Sequence, residues 1–186
     1  YLKTRGISGE TAKNFKIGFA DFNQTKLLAE LQNKFSDKEI LESGNFLTNE
    51  KGFYPFQRNR VTFPIQNSSG KIIGFGGRVI DDSQPKYLNS KDSKFFNKTR
   101  ELYGFNNAKK DQKTDDFIVT EGYMDVVMLS EHGVNNAVAS LGTAFSQNHM
   151  NAMFKMRRKI TFCFDSDEAG LKAAWRALQI SLKNVF

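Results

Sequence analysis

The sequence FIVTEGYMD at residues 117–125 has a counterpart in ITFCFDSDEAG at residues 160–170. Each segment begins with a short run of β-branched and aromatic residues, which favours a strand, and each continues into a helical pattern. Carboxylates follow both runs at the point where the strand should end. The two segments therefore predict two strand-turn-helix units, and with them a parallel sheet in an α/β fold.

The acidic side chains of these segments are expected to meet. Strands of an open parallel sheet with right-handed crossovers end on the same edge, and ligands bind in the crevice beyond it. We therefore expect Glu121, Asp165 and Asp167 to converge there, with Asp125 in the first turn of the next helix. Close carboxylates repel one another, which favours bound Mg²⁺ or Mn²⁺ and metal-assisted chemistry at phosphorus. For any single acid, the alternative is a solvated turn residue.

EGYMD at residues 121–125 and DSDEAG at residues 165–170 resemble the acidic motifs of the Toprim domain, in its bacterial DnaG-type primase form. AVASLGTA at residues 137–144 is similar to the second strand of that family and the loop after it. The resemblance implies acid–base chemistry at Glu121. It also implies that Glu121, Asp165 and Asp167 are catalytic and that, together with Asp125, they hold two or more Mg²⁺ or Mn²⁺ ions.

Two features depart from the family pattern. Ser166 stands where the primases usually have Gly within the aspartate pair. The family also has a further acidic motif beyond a fourth strand, and this chain stops at Phe186 before reaching it. We therefore expect a truncated Toprim sheet that lacks its last strand or strands, with an incomplete metal site. Because the chain begins at Tyr1 and not at Met, we expect it to be a piece of a longer protein.

Charge is distributed unevenly along the 186 residues. Residues 51–113 carry thirteen basic and five acidic side chains, whereas residues 1–50 carry seven of each and residues 114–186 carry seven and eight. A basic segment beside acidic strand ends is the arrangement expected for holding a polyanion against a metal site. A solvated lysine-rich face is the alternative.

The basic segment also combines strand, turn and glycine signals. Residues 61–65 and 71–75 predict a hairpin around a polar turn. The GFGGR segment at 74–78 is too rich in glycine for a good strand; it allows a backbone or a phosphate to come close, and a glycine-rich bulge is equally compatible. In PKYLNS at 85–90, Tyr87 is suited to stacking on a base while nearby lysines meet phosphates.

The series RVTFPI (60–65), GFGGR (74–78), PKYLNS (85–90) and LYG (102–104) resembles the basic subdomain that precedes Toprim in bacterial primases. Toprim proteins such as topoisomerases lack this series. RGIS at residues 5–8 resembles a primase motif associated with the template. The resemblance implies contacts with template, nucleotide or primer from seven residues: Arg5, Arg60, Arg78, Lys86, Tyr87, Asn89 and Lys98.

The domain organisation follows from these patterns. Residues 1–113 are predicted to form a helical and basic hairpin subdomain, and residues 114–186 the catalytic Toprim subdomain, with the boundary in a charged connection. Helical spacing predominates between residues 2 and 44, where Ser8 caps a short helix and residues 36–39 show a capping-box signature.

Two hydrophobic positions near the C-terminus are expected to be buried. Cys163 lies in a predicted strand, where a thiol is usually inert, and Trp175 shares one face of the last helix pattern. A single cysteine excludes an internal disulfide and fits a reducing cytoplasm. The sequence has no apolar run of the ~20 residues that a membrane span needs.

The resemblance implies the RNA-polymerising core of a primase, a nucleotidyltransferase that makes short RNA primers on single-stranded DNA. Its expected partners are the DNA template, ribonucleoside triphosphates and, through a region outside this chain, a replicative helicase; the piece itself is expected to be monomeric. Two alternatives stay open. One is another Toprim enzyme, such as a nuclease or topoisomerase, and the other is a non-catalytic single-strand-binding module of a replication assembly.

Overall fold

The computed structural model describes residues 1–182. Its first part contains a 3₁₀ turn at Lys3–Arg5 and the elements α1 (Gly9–Asn14), β1 (Gly18–Ala20), α2 (Thr25–Gln32), α3 (Asp37–Glu42), β2 (Phe46–Asn49), β3 (Gly52–Pro55), β4 (Arg60–Gln66), β5 (Ile72–Val79) and β6 (Tyr87–Asn89). The second part contains α4 (Phe105–Ala108), β7 (Asp116–Thr120), α5 (Tyr123–Glu131), β8 (Ala137–Ala139), α6 (Gln147–Phe154), β9 (Lys159–Phe162) and α7 (Glu168–Leu182).

The helix starts near the N-terminus are confirmed, but the segment is not wholly helical. Ser8 caps α1 by accepting a hydrogen bond from Thr11 N–H, and Ser36 and Glu39 form a reciprocal capping box on α3. Between these helices, β1 pairs antiparallel with β4, a strand that the helical pattern did not predict. A three-residue strand has too little local signal to be recognised, and it forms because a distant strand supplies its hydrogen bonds.

An antiparallel sheet with strand order β1-β4-β5-β6 forms the basic part of the molecule, and β2 and β3 form a separate hairpin. The predicted hairpin of β4 and β5 is confirmed, with a register shift between Ile65 and Gln66. Strand β5 continues through the glycines to Val79, contrary to the expectation that this stretch makes a poor strand.

Protein side chains lie over the glycines of β5. A Cβ atom added to Gly76 would lie 2.5 Å from Cζ of Tyr123, and one added to Gly77 would lie 2.3 Å from Oε1 of Gln57. These glycines are therefore needed because side chains from elsewhere in the chain pack directly on the strand. The space that the glycine pattern offered to a phosphate or another backbone is occupied by Tyr123 and Gln57.

A parallel sheet with strand order β8-β7-β9 forms the second part, which confirms the predicted fold class. Strand β9 ends at Phe162, so Cys163 lies just outside it and is exposed. The expectation of a buried thiol is therefore wrong. Burial requires a covering layer on that side of the strand, and residue type alone does not report one.

Helix α7 is confirmed, but the packing of its apolar face is not. Trp175 is 62% exposed and Leu171 is 63% exposed, whereas Gly170 and Ala177 are buried. The expectation that Trp175 packs inside the protein is wrong because the small residues of the helix, and not the large ones, face the core. No helix within residues 1–182 is long and apolar enough to cross a membrane.

One hydrophobic cluster joins the two sheets. Phe63 of β4 stacks on Tyr123 of α5 with ring centres 5.4 Å apart, and Tyr103 meets Tyr123 edge-on at 4.8 Å. The same cluster contains Ile7 and Ala139. Residues from both sides of the predicted boundary at residues 113 and 114 thus share a core, and the boundary itself stays a prediction.

Replacing Gly76 by alanine should destabilise the protein because the new Cβ would overlap the Tyr123 ring. Overpacking of this kind costs on the order of 1–3 kcal/mol. Urea unfolding of Gly76→Ala, followed by circular dichroism, measures this destabilisation.

The matched control is Gly9→Ala, at the start of α1, where an added Cβ meets nothing within 4 Å. This substitution should leave stability unchanged or raise it by up to about 1 kcal/mol. Equal stability of Gly76→Ala and the parent protein would contradict the close packing of the two sheets.

Candidate active site

The carboxyl ends of β7 and β9 bring two of the predicted acids together. The strands are adjacent and parallel, with Val119 opposite Phe162, so Glu121 and Asp165 follow them at the same edge. Glu121 Oε1 accepts a hydrogen bond from the backbone N–H of Asp165 at 2.7 Å. The structure therefore places these two residues in direct contact although 44 positions separate them.

Gly170 makes this approach possible. A Cβ at this position would lie 2.0 Å from the carbonyl oxygen of Asp165 and 2.8 Å from Glu121 Oε1. Asp167 accepts a hydrogen bond from Gly170 N–H at 2.8 Å, and its carbonyl accepts one from Leu171 N–H at 3.0 Å. Asp167 thereby caps the start of α7. The second oxygen of its carboxylate lies outside these hydrogen bonds.

Asp125 lies in the first turn of α5 and accepts a hydrogen bond from Gly122 N–H at 2.9 Å. Partial burial of its carboxylate raises the pKa of Asp125; the Gly122 hydrogen bond lowers it, and the negative charge of Asp165 raises it further. Asp125 and Asp165 therefore have like charges that oppose each other, and the hydrogen bond from Gly122 N–H offsets part of this repulsion.

The chemistry of these side chains fits a hard divalent ion. Carboxylate oxygens are the preferred ligands of Mg²⁺ and Mn²⁺, and Mg²⁺ sites usually leave positions to water and to substrate phosphates. Glu121, Asp125 and Asp167 each use one oxygen for a backbone N–H, which leaves the other oxygen of each for a ligand. Within residues 1–182, however, no three acidic, histidine or cysteine side chains converge as a complete metal site.

Three of the predicted nucleic-acid contacts surround one cavity. Arg5, Arg78 and Lys86 line a cavity of about 540 Å³, together with Tyr1 and the loop at residues 79–84. Arg5 and Lys86 are exposed, whereas Arg78 is half-buried. The cavity also has Asp81 and Asp82 in its lining, so its three cations exceed its two acids and leave an excess of positive charge for an anion.

Aromatic rings hold the guanidinium of Arg78. Its Cζ atom lies 5.0 Å from the ring centre of Tyr87 and 5.6 Å from that of Tyr1, and its Nη1 donates a hydrogen bond to the Tyr87 hydroxyl. The buried Nε of Arg78 has no hydrogen-bond partner within the described part of the chain. Arg78 is therefore a cation in a fixed orientation, with its Nε enclosed by protein.

Arg60, another predicted contact, is engaged inside the protein. Arg60 is 6% exposed and donates to the carbonyls of Pro85 at 2.8 Å and Gly77 at 3.4 Å. Burial lowers the pKa of Arg60, which the charge of Asp81 partly offsets. This arginine holds the loop before β6 against the sheet.

Asn89 and Lys98 lie on the side facing the loop after β8. Asn89 accepts a hydrogen bond from the Tyr123 hydroxyl and donates one to the Leu141 carbonyl at 2.8 Å. The backbone carbonyl of half-buried Lys98 accepts a hydrogen bond from Thr143 Oγ1 at 3.4 Å. Neither residue is among those that line the Arg78 cavity.

Sequence reasoning gave no role to Tyr123, which joins the acidic edge to the basic sheet. Tyr123 is 3% exposed and lies between Glu121 and Asp125 in the sequence. The closely spaced glycines at 74–77 are the sequence feature that could have indicated a contact of this kind. A strand that lacks side chains on one face indicates that something large packs on it, but the sequence does not say what.

Comparison of the chain with known protein families agrees with this architecture. A family model described as a DNA primase catalytic core, N-terminal domain, matches residues 1–109, and a Toprim domain model matches residues 115–185. An acidic parallel sheet joined to a basic antiparallel sheet thus defines the class as a Toprim-containing α/β core. The chain belongs to the DnaG-type DNA primase family, which confirms the resemblance seen in the sequence motifs.

Individual relatives cover almost the whole chain. A DNA primase from Pseudomonas putida is 48% identical over 189 residues, which cover 100% of this chain and 29% of the relative. A crystal structure of a DNA primase domain from Pseudomonas aeruginosa matches with a TM-score of 0.91 at 47% identity. The match covers 99% of this chain and 59% of the Pseudomonas aeruginosa chain. The structure of a DnaG primase catalytic domain bound to ssDNA matches with a TM-score of 0.90 at 41% identity. That match covers 98% of this chain and 58% of the DnaG chain. This chain therefore spans less than a third of the first curated relative.

The raised pKa of Asp125 gives a pH-dependent prediction. Because the folded protein binds this proton more tightly than the unfolded chain, stability falls as pH rises from about 3.9 through the higher folded pKa. Asp125→Asn removes the charge and keeps an oxygen for Gly122 N–H. Urea unfolding should show the substituted protein gaining stability relative to the parent as pH rises across this window.

Glu39→Gln provides a control of opposite sign. Hydrogen bonds from the Ser36 side chain and backbone lower the pKa of Glu39, so its charge stabilises the fold above the unfolded pKa. The Glu39→Gln variant should be less stable than the parent protein at neutral pH. This difference in stability should disappear as pH falls through the folded pKa of Glu39. A pH-independent difference for Asp125→Asn would contradict the assignment.

Proposed function

We propose that this chain is the polymerising core of a primase that makes short RNA primers on single-stranded DNA. The contact between Glu121 and Asp165 supports this most directly, because it sets carboxylates at one sheet edge. Tyr123 joins that edge to the strand that carries Arg78. The proposed substrates are ribonucleoside triphosphates. A replicative helicase is the proposed partner, through a region outside this chain, and the cytoplasm is the proposed compartment.

The reaction is nucleotidyl transfer. The 3′-hydroxyl of the primer, or of the initiating nucleotide, attacks the α-phosphate of the incoming nucleotide; the new P–O bond forms as pyrophosphate leaves. Glu121 is the proposed acceptor of the hydroxyl proton. Glu121, Asp125, Asp165 and Asp167 would hold Mg²⁺ or Mn²⁺, which when bound neutralises phosphate charge and activates the hydroxyl.

The cavity lined by Arg5, Arg78 and Lys86 is proposed to bind phosphates of the template or the nucleotide. Arg78 suits this role because it lines the cavity and because Tyr87 and Tyr1 fix the position of its guanidinium. Arg78 covers one side of the Tyr87 ring, so we assign Tyr87 to orienting this arginine. Domain organisation follows the same division, with residues 1–113 for binding and residues 114–186 for catalysis.

A topoisomerase activity within this chain is less well supported. Such an enzyme needs a tyrosine hydroxyl that can act as a nucleophile. Burial raises the pKa of Tyr103 and Tyr123 far above the ordinary tyrosine value, and it also raises the pKa of Tyr87. Tyr103 and Tyr123 are 2% and 3% exposed, and the Tyr87 hydroxyl accepts a hydrogen bond from Arg78, so none of these three hydroxyls is free to attack a phosphodiester.

Glu121→Gln should abolish primer synthesis in a primase that contains this sequence. The amide keeps an oxygen for Asp165 N–H, but it can neither take up a proton nor contribute negative charge to a metal. We expect the rate of ribonucleotide incorporation at saturating Mg²⁺ to fall by about 100-fold or more. Incorporation of labelled ribonucleotide on single-stranded DNA is the measurement.

Glu10→Gln, on the exposed surface of α1, is the matched control and should synthesise primers at the parent rate. A folded Glu121→Gln protein with normal synthesis would disprove the catalytic assignment. Binding of single-stranded DNA without incorporation in the parent protein would favour the non-catalytic binding module.

The basic cavity predicts a salt-dependent effect. Replacing Arg78 and Lys86 by glutamine should weaken binding to a single-stranded oligonucleotide. It should also flatten the plot of log affinity against log salt by about 0.7 for each phosphate that the protein no longer neutralises. Fluorescence anisotropy across a salt series measures both quantities.

The control is the double substitution Lys38→Gln and Lys51→Gln, which removes the same charge at exposed positions outside the cavity. It should leave the salt slope near that of the parent protein. Equal slopes for the two double variants would show that the Arg78 cavity does not bind phosphates.

A further inference from the structure

We propose that Tyr123 and Asn89 are positioning residues that hold the acidic sheet edge in register with the basic strand, and that Asn89 acts through this pair without touching the nucleotide. The inference deepens the proposed primase function and rests on it. It also changes the role that the sequence motifs imply for Asn89.

The Tyr123 ring is fixed on several sides. It stacks on Phe63 with planes 12° apart, meets Tyr103 at 89°, and covers Gly76 so closely that no Cβ would fit there. A ring held this tightly has one orientation available. Helix α5, which begins at Tyr123, is therefore fixed relative to β5.

The Tyr123 hydroxyl supplies the polar half of the contact. It donates a hydrogen bond to Asn89 Oδ1, while Asn89 Nδ2 donates to the Leu141 carbonyl at 2.8 Å. Asn89 thus joins β6 to the first turn of α5 and to the loop after β8. Each end of its amide makes one hydrogen bond within the protein, which fixes the orientation of this half-buried side chain.

A continuous series of side-chain contacts leads from Arg78 to the acidic sheet edge. Arg78 stacks on Tyr87, and the Tyr87 ring centre lies 6.1 Å from that of Tyr123. Glu121 and Asp125 lie two residues before and after Tyr123. A small shift of Tyr123 would therefore move the carboxylates relative to the bound triphosphate, and misplacement of reacting groups by about 1 Å can cost roughly 100-fold in rate.

The test is a double-substitution cycle in a primase that contains this sequence. Tyr123→Phe keeps the ring on Gly76 and removes only the hydroxyl, and Asn89→Ala removes its partner. We expect kcat to fall about fivefold to tenfold in each single variant and the double variant to be no slower than Asn89→Ala. KM for the ribonucleotide should stay within about twofold of the parent value.

Tyr54→Phe, on β3, is the matched control and should leave kcat unchanged. A raised KM in Asn89→Ala but not in Tyr123→Phe, with multiplicative effects on kcat, would overturn the proposal, because it would show that Asn89 contacts the nucleotide directly.

A second measurement does not depend on activity. In nuclear magnetic resonance spectra of the 186-residue chain, Tyr123→Phe should shift both the Arg78 Nε–H resonance and the Asp165 amide resonance, whereas Tyr54→Phe should shift neither. Unchanged resonances in Tyr123→Phe would overturn the positioning role. If the parent primase made no primers, the primase proposal would fail, and this spectrum would still decide whether Tyr123 links the two sites.

Discussion

The packing of Tyr123 on Gly76 is the contact on which the rest of this structure depends. The parallel sheet carries the acids and the antiparallel sheet carries the cations, and this ring lies where the two meet. Its neighbours in the hydrophobic cluster are Phe63 and Tyr103, so aromatic burial stabilises the junction. The glycine is required because any side chain on that face of β5 would push the sheets apart.

Electrostatics explain why the two halves are built differently. Carboxylates at one edge repel each other, and the fold holds them by giving Glu121, Asp125 and Asp167 a backbone N–H each. The cations are brought to one cavity from separate segments, with Arg78 fixed between Tyr1 and Tyr87. Among residues 1–182, no salt bridge joins these acids to the cations of the cavity, which leaves both sets of charges available for a polyanion and for metal.

The candidate acids could be found from sequence because their signal is local. A strand pattern followed at once by Glu121 or Asp165 places each acid at a strand end, and parallel pairing brings such ends to one edge. The basic residues were harder to interpret. Arg60 and Arg78 look alike in sequence, yet one is buried against backbone carbonyls and the other lines the cavity. Exposure depends on what packs over a residue, and neighbouring sequence does not report it.

By itself, the sequence determined the α/β class, the hairpin of β4 and β5, the helix caps at Ser8 and Ser36, and the order of the acidic motifs. Each of these follows from periodicity or from residues a few positions apart. Only the tertiary structure decided that β1 joins the sheet, that Trp175 is exposed, and that Tyr123 and Asn89 join the two halves. These features depend on contacts between segments far apart in the sequence. Such contacts stabilise the protein only after the chain has folded and brought the segments together.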